Sequence, residues 1–270
     1  MTPTFKMHGS KARIAKWVVS HFPSFERLIE PFAGRGNIFF RACEELSFKG
    51  ALLNDLNMWP FLEALRDYSG DWSFIDDGVI DKSVWNKWKD SPPSHERALA
   101  ESYVARFGSS YETGPALAGG ESQNGHSKRN TILRMKRAQE LLREKQVQIT
   151  RLDWEDFLSS LKISSEDLVY LDPPYDVPQS THYKNIDHDR FLEVVKKLPS
   201  SVFVSGYTSP RYERELSGEG WQRVSLQRAS VGKGVAARGQ TGNKPRVEEI
   251  LWFRTSRKPE DSLSMFSVGG

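Results

Sequence analysis

The chain is poor in cysteine. Cys43 is the single one in 270 residues, so no intrachain disulfide can form, and the expected setting is a reducing one. Long apolar runs are missing too, and none approaches the about 20 residues that a membrane helix needs. The first apolar stretches are broken by Lys6, His8, Lys11, Arg13 and Lys16, which argues against a secretory leader. Strong charge of either sign is absent: 38 Lys and Arg face 35 Asp and Glu, a net charge of +3. Such a balance neither proves nor excludes a polyanionic partner, because what counts is whether the cations cluster. The six histidines are scattered, so no metal cluster is expected. These absences lead to the expectation of a soluble, cytoplasmic protein.

The composition that remains is ordinary for a packed protein, with 38% hydrophobic residues. Its periodicities alternate. Helical spacing covers 11–21, with Ile14, Ala15, Trp17, Val18 and Val19 among polar positions. The short apolar run Arg27–Glu30 feeds a glycine-containing turn, and helical spacing resumes at Asn37. Cys43 falls in that helix and is read as a packed residue. A second apolar run ends in Asp55, and 58–68 is helical again. Strands alternating with helices predict a parallel sheet with helices on both faces.

That rhythm stops near residue 69. Two tryptophans with interleaved lysines mark 82–88, a helix is predicted over 96–107, and 108–130 is polar and rich in glycine. A basic helix follows over 131–144. The α/β pattern then returns, with strands over 147–152, 168–171 and 201–205, and helices over 155–161, 187–198 and 210–216. Two antiparallel edge strands are predicted over 221–230 and 247–253, and a disordered tail from Pro259. The organisation expected is a discontinuous catalytic domain, 1–68 and 146–256, interrupted by an insert at 69–145, with 257–270 as a tail.

Two constellations carry chemistry. The first is Glu30-Pro31-Phe32-Ala33-Gly34-Arg35-Gly36. A strand entering a helix through glycines leaves backbone N–H groups free at the helix start, where they and the dipole favour an anion. Asp55, at the end of the next strand, is placed to accept from ribose hydroxyls. Position 39 is Phe, so the dinucleotide fingerprint is incomplete, and no Gly-Lys-Ser/Thr is present for a phosphate loop. A cofactor with one nucleoside and one carboxylate suits this pattern better than one with a pyrophosphate. The second constellation is Asp172-Pro173-Pro174-Tyr175, directly after an apolar strand. Each proline removes a backbone donor. The Asp172 carboxylate and nearby carbonyls therefore make an acceptor-only site, suited to an exocyclic amine, while Tyr175 offers an aromatic face for a flipped-out base. Supporting features are Lys6-Met7-His8-Gly9-Ser10-Lys11 before the first helix, and Asp153-Trp154 after a strand. Lys11 is a candidate for a cofactor carboxylate, and Asp153-Trp154 for an adenine ring.

At these residues the sequence resembles the Dam-like (D12 class) DNA adenine-N6 methyltransferases, in the alpha-type motif order that puts target recognition between the cofactor half and the catalytic half. The resemblance runs from about residue 5 to 254. Within it, 6–11 is similar to the N-terminal Lys/Gly/Lys motif, 30–36 to the cofactor loop, Asp55 to the ribose-binding acid and Asp153 to the adenine-contacting acid. The tetrapeptide Asp172–Tyr175 is the catalytic motif, and Ser201–Tyr207 resembles the strand that follows it, where Gly206 would allow close approach. The first motif departs from the pattern in reading His8-Gly9-Ser10-Lys11, where many members have two glycines.

The resemblance implies an α/β, Rossmann-like methyltransferase fold with a small, mainly helical recognition insert. It implies S-adenosyl-L-methionine as cofactor and double-stranded DNA as partner, with a monomer or weak dimer and a bacterial or phage-infected cell as setting. Catalytic roles fall on Asp172, Pro173, Pro174 and Tyr175. Cofactor contacts fall on Met7, Lys11, Glu30, Pro31, Phe32, Ala33, Gly34, Gly36, Asn37, Asp55, Leu56, Asp153, Trp154 and Asp172. DNA contacts fall on Lys11, Lys128, Arg129, Arg134, Lys233 and Arg238, and contacts of this kind to phosphates would make binding salt-dependent. Three alternatives stand beside this reading: the same transfer to RNA adenine, a non-catalytic DNA-binding protein on the same scaffold, and cytosine-N4 methylation, in which Ser more often replaces Asp172.

Overall fold

The structure is a computed structural model that describes residues 2–3, 5, 11–70, 128–174, 186–218, 220–229 and 246–256. The chain divides into two compact units, Met1–Ser160 and Leu161–Gly270. In the first unit the strands lie in the order Gln148–Thr150, Gly50–Asn54, Arg27–Glu30, and in the second in the order Asp167–Leu171, Ser201–Tyr207, Arg246–Arg254, Gln222–Ala229. This is the α/β class expected from the alternating periodicities, of the Rossmann-like kind that the resemblance implies.

In the first unit a 3-10 turn, Lys11–Arg13, leads into α1, Ala15–Val19. Strand β1, Arg27–Glu30, is followed by α2, Asn37–Glu45, then β2, Gly50–Asn54, and α3, Trp59–Asp67. Helix α4, Lys128–Glu144, strand β3, Gln148–Thr150, and helix α5, Trp154–Ser159, complete it. All three strands run parallel, with Ile29 beside Leu52 and Leu53 beside Ile149. The apolar runs of β1 and β2 are continuous rather than alternating because those strands are covered on both sides, as parallel strands usually are, whereas β3 is partly exposed. Leu28, Ile29 and Leu53 are fully buried.

Helix α4 starts at Lys128, within the stretch expected to be polar loop. Its C-terminal half packs inward through Met135, Ala138, Leu141 and Leu142. Gln139 Nε2 donates to the Leu65 and Tyr68 carbonyls at the end of α3, at 2.9 and 2.7 Å. Arg143 Nε donates to the Arg66 carbonyl at 2.7 Å. These bonds satisfy carbonyls that a helix C-terminus leaves open. The remaining expectations for the insert, at 82–88 and 96–107, and the tail from Pro259, lie outside the described residues.

The second unit holds β4, Asp167–Leu171, α6, His188–Lys197, β5, Ser201–Tyr207, α7, Pro210–Glu215, β6, Gln222–Ala229, and β7, Arg246–Arg254. Every residue of β4 is buried. Asp187 caps α6, accepting from the backbone N–H groups of Asp189 and Arg190 at 3.1 and 3.0 Å. Strand β5 runs two residues past the expected end and carries Gly206 in register with Ile250. The expectation of two edge strands needs correction. Strand β7 pairs antiparallel with both β5 and β6, so it is internal. Its buried Ile250, Leu251 and Trp252 explain why it reads as strongly apolar, and β6, with its polar exposed face, takes the outer position.

Candidate functional site

The turn after β1 is built by conformation rather than by side chains. Gly34 and Gly36 have φ of 54° and 70°, in the left-handed region that glycine enters without penalty. A Cβ on Gly36 would also lie 3.3 Å from the Phe40 ring. The turn thus requires glycine at position 36 twice over, and α2 begins directly after it, where the first N–H groups of a helix have no intrahelical partner.

Two acids and one amide organise the surrounding strand ends. Gly34 N–H donates to Asp55 Oδ2 at 2.8 Å, while Asn57 and Met58 N–H donate to Asp55 Oδ1 at 2.8 and 2.7 Å. Asp55 was expected purely as a ligand contact. It is also a brace that ties the glycine turn to the start of α3. An ionised carboxylate has about four lone-pair sites, so three backbone donors leave it capacity for one hydroxyl.

Asn54 was missed by the sequence reading. It is 1% exposed and makes four hydrogen bonds. Its Nδ2 donates to the Pro31 and Leu152 carbonyls at 3.0 and 2.9 Å, and its Oδ1 accepts from Thr150 Oγ1 and Leu152 N at 2.7 and 2.8 Å. That is the full complement of an amide, and it locks the C-terminal ends of β1, β2 and β3 together. The only hint in sequence is a polar residue closing an apolar run.

Asp153 caps α5, accepting from Glu155 N at 3.0 Å through Oδ1. It is exposed, and its Oδ2 takes no protein donor among the described residues. Trp154 is buried and lies against the half-buried Phe32, with ring centroids 6.5 Å apart. Leu56 and Leu152 stand out at 51% and 41% exposure, an apolar rim at the ends of β2 and β3. Lys11, Glu30, Ala33 and Asn37 are buried. The Asn37 amide is engaged in a reciprocal pair with the Phe5 backbone, 2.9 Å each way, which pins the N-terminal segment to the head of α2. An acid with spare acceptor capacity, a second exposed acid, an apolar rim and a glycine turn at a helix start together suit a nucleoside-bearing cofactor.

In the second unit, the turn after β4 begins with a half-buried Asp172 followed by a buried Pro173. Ser205 Oγ donates to Asp172 Oδ1 at 3.1 Å, and Tyr170 OH lies 2.8 Å from the same Ser205 Oγ. Neither Ser205 nor Tyr170 was singled out from sequence. Tyr175, Met7, Lys233 and Arg238 lie outside the described residues, as do the side chains of Lys128 and Arg129. Arg134 is half-exposed on α4. Among the described residues there is no group of three or more potential metal ligands, and no helix is long and apolar enough to cross a membrane.

The match of one segment to a known family supports a methyltransferase that uses S-adenosyl-L-methionine. Residues 8–62, which hold the glycine turn, Asn54 and Asp55, match the model of the D12 class N6 adenine-specific DNA methyltransferases. No curated protein matches the sequence. Among solved structures, similarity extends to a candidate RNA methyltransferase from Pyrococcus horikoshii, at 13% identity and a TM-score of 0.42, covering 96% of this chain and 88% of that one. A candidate methyltransferase from Streptococcus mutans in complex with SAH shows 9% identity and a TM-score of 0.39, with coverage of 88% and 94%. An rRNA methylase from Streptococcus thermophilus shows 8% identity and a TM-score of 0.39, with coverage of 93% and 99%.

Proposed function

We propose that this protein transfers a methyl group to N6 of a flipped-out adenine in double-stranded DNA. The observation that carries the reading is the Asp172-Pro173-Pro174 turn: an acid half-buried at the end of a fully buried strand, followed by two residues with no N–H. Such a turn can accept from an amine and offers few competing donors. The family match over residues 8–62 supports DNA and adenine over other targets.

Bound S-adenosyl-L-methionine supplies an electrophilic methyl group. In this reading Asp55 accepts from its ribose, Asp153 from its adenine amine, and the turn after β1, with Lys11, holds its carboxylate. Asp172 and the Pro173 carbonyl accept hydrogen bonds from the target amine and so aim its lone pair. Tyr175 stacks on the extruded base. Catalysis is then chiefly alignment and electrostatics, with no covalent enzyme intermediate. Residues 69–145 act as the recognition insert, and Lys128, Arg129, Arg134, Lys233 and Arg238 contact phosphate; Lys11, expected to do so too, is buried and is left to the cofactor.

Asp172→Ala tests the reading. The variant should still bind S-adenosyl-L-methionine by calorimetry while methyl transfer falls by roughly a thousandfold or more. Near-normal turnover would refute the assignment.

A further inference from the structure

The Asp172 carboxylate has a buried support. The parallel register of β4 and β5 sets Leu171 beside Val204, so the chains continue one step on to Asp172 and Ser205. Tyr170 lies two positions before Asp172, on the same face of the strand. Ser205 is 0% exposed and Tyr170 1%. Ser205 Oγ is 3.1 Å from Asp172 Oδ1, 2.8 Å from Tyr170 OH and 3.5 Å from the Leu171 carbonyl.

The direction of this chain follows from proton counting. A serine hydroxyl has one proton to give. An ionised carboxylate at 3.1 Å is a stronger acceptor than a carbonyl at the 3.5 Å limit. With the serine proton given to Asp172, only Tyr170 can donate in the contact between the two hydroxyls. Both O–H groups therefore point toward the carboxylate. Buried hydroxyls cost stability unless bonded, and Phe and Ala would fill the same volumes without that cost. The hydroxyls earn their place by what they hold.

We propose that Tyr170 and Ser205 are positioning residues, a two-hydroxyl relay that fixes the rotamer of Asp172 and hence the direction from which it accepts the hydrogen of the target amine. This inference rests on the reading of Asp172 as the amine acceptor. Neither hydroxyl is assigned any contact with substrate. Tyr170 reaches Asp172 through Ser205.

Six full-length proteins decide the matter: wild type, Ser205→Ala, Ser205→Thr, Tyr170→Phe, the double variant and Asp172→Ala. Each is assayed with tritiated S-adenosyl-L-methionine on unmethylated genomic DNA, alongside calorimetric cofactor affinity and thermal midpoint. Ser205→Ala should lower kcat roughly ten- to hundredfold, the scale of a misaligned reacting group, with cofactor Kd unchanged. Tyr170→Phe should lower it about threefold, because its hydrogen bond is one step removed. The double variant should be no worse than Ser205→Ala, since the relay runs from Tyr170 to the carboxylate through Ser205. Ser205→Thr, which retains the hydroxyl, should recover part of the loss. Wild-type kcat in Ser205→Ala, additive losses in the double variant, or a fall in cofactor affinity that tracks kcat would each overturn the relay. If Asp172→Ala is dead while Ser205→Ala is normal, the relay alone fails. If Asp172→Ala turns over normally, the proposed function fails and the relay with it, as both do if the wild type transfers nothing.

Discussion

Asp55 shows how one side chain serves architecture and ligand together. Its three backbone hydrogen bonds hold the glycine turn against the start of α3. Asp55→Ala should therefore cost about 1–3 kcal/mol of folding stability and also weaken cofactor binding. A residue that only touched ligand would lose affinity with stability intact, so chemical denaturation and calorimetry on one variant separate the two. Cys43 behaves in the opposite way, with packing and no chemistry. Desolvation on α2, partly offset by the nearby Lys145 charge, pushes its thiol up to about 12. At pH 8 the thiol is neutral and thus a poor nucleophile. Iodoacetamide should leave the native protein unlabelled at that pH and modify it quickly in denaturant; fast labelling of the native state would contradict the burial.

At the scale of elements, α4 is the informative case. Its inward face, with Leu142 fully buried, and its bonds to the end of α3 make it part of the first unit. Leu142→Ala should cost about 2–5 kcal/mol, seen as a lower denaturation midpoint at unchanged slope. A cost well under 1 kcal/mol would show that the helix does not pack as described. The sequence made β1, the glycine turn, α2, β2 and α3 legible because each is a local pattern of period or punctuation. It made the Asp172 turn legible because four adjacent residues carry the signal. Asn54 and Ser205 were hidden for one shared reason. Asn54 acts on Leu152, which β2–β3 pairing brings to it, and Ser205 meets Asp172 only through the β4–β5 register. Register between distant strands is set by packing, and no local pattern encodes it. The position of β7 was misread for a related reason: antiparallel pairing predicts a hairpin but not which of its strands faces outward.

At the scale of the whole molecule, each of the two units gathers its chemistry at the ends of its own strands. Asn54 locks three of those ends, Asp55 braces the turn beside them, and the Asp172 carboxylate is held from below by two hydroxyls. The acceptor proposed for the methyl group is an amine of DNA adenine. The direct measurement is transfer from labelled S-adenosyl-L-methionine to unmethylated genomic DNA, with duplex RNA in parallel, followed by nucleoside analysis. The account predicts label in N6-methyladenine from DNA, at positions that define a recurring target sequence. Label confined to RNA, or in cytosine, or cofactor bound with no label in either polymer, would contradict it.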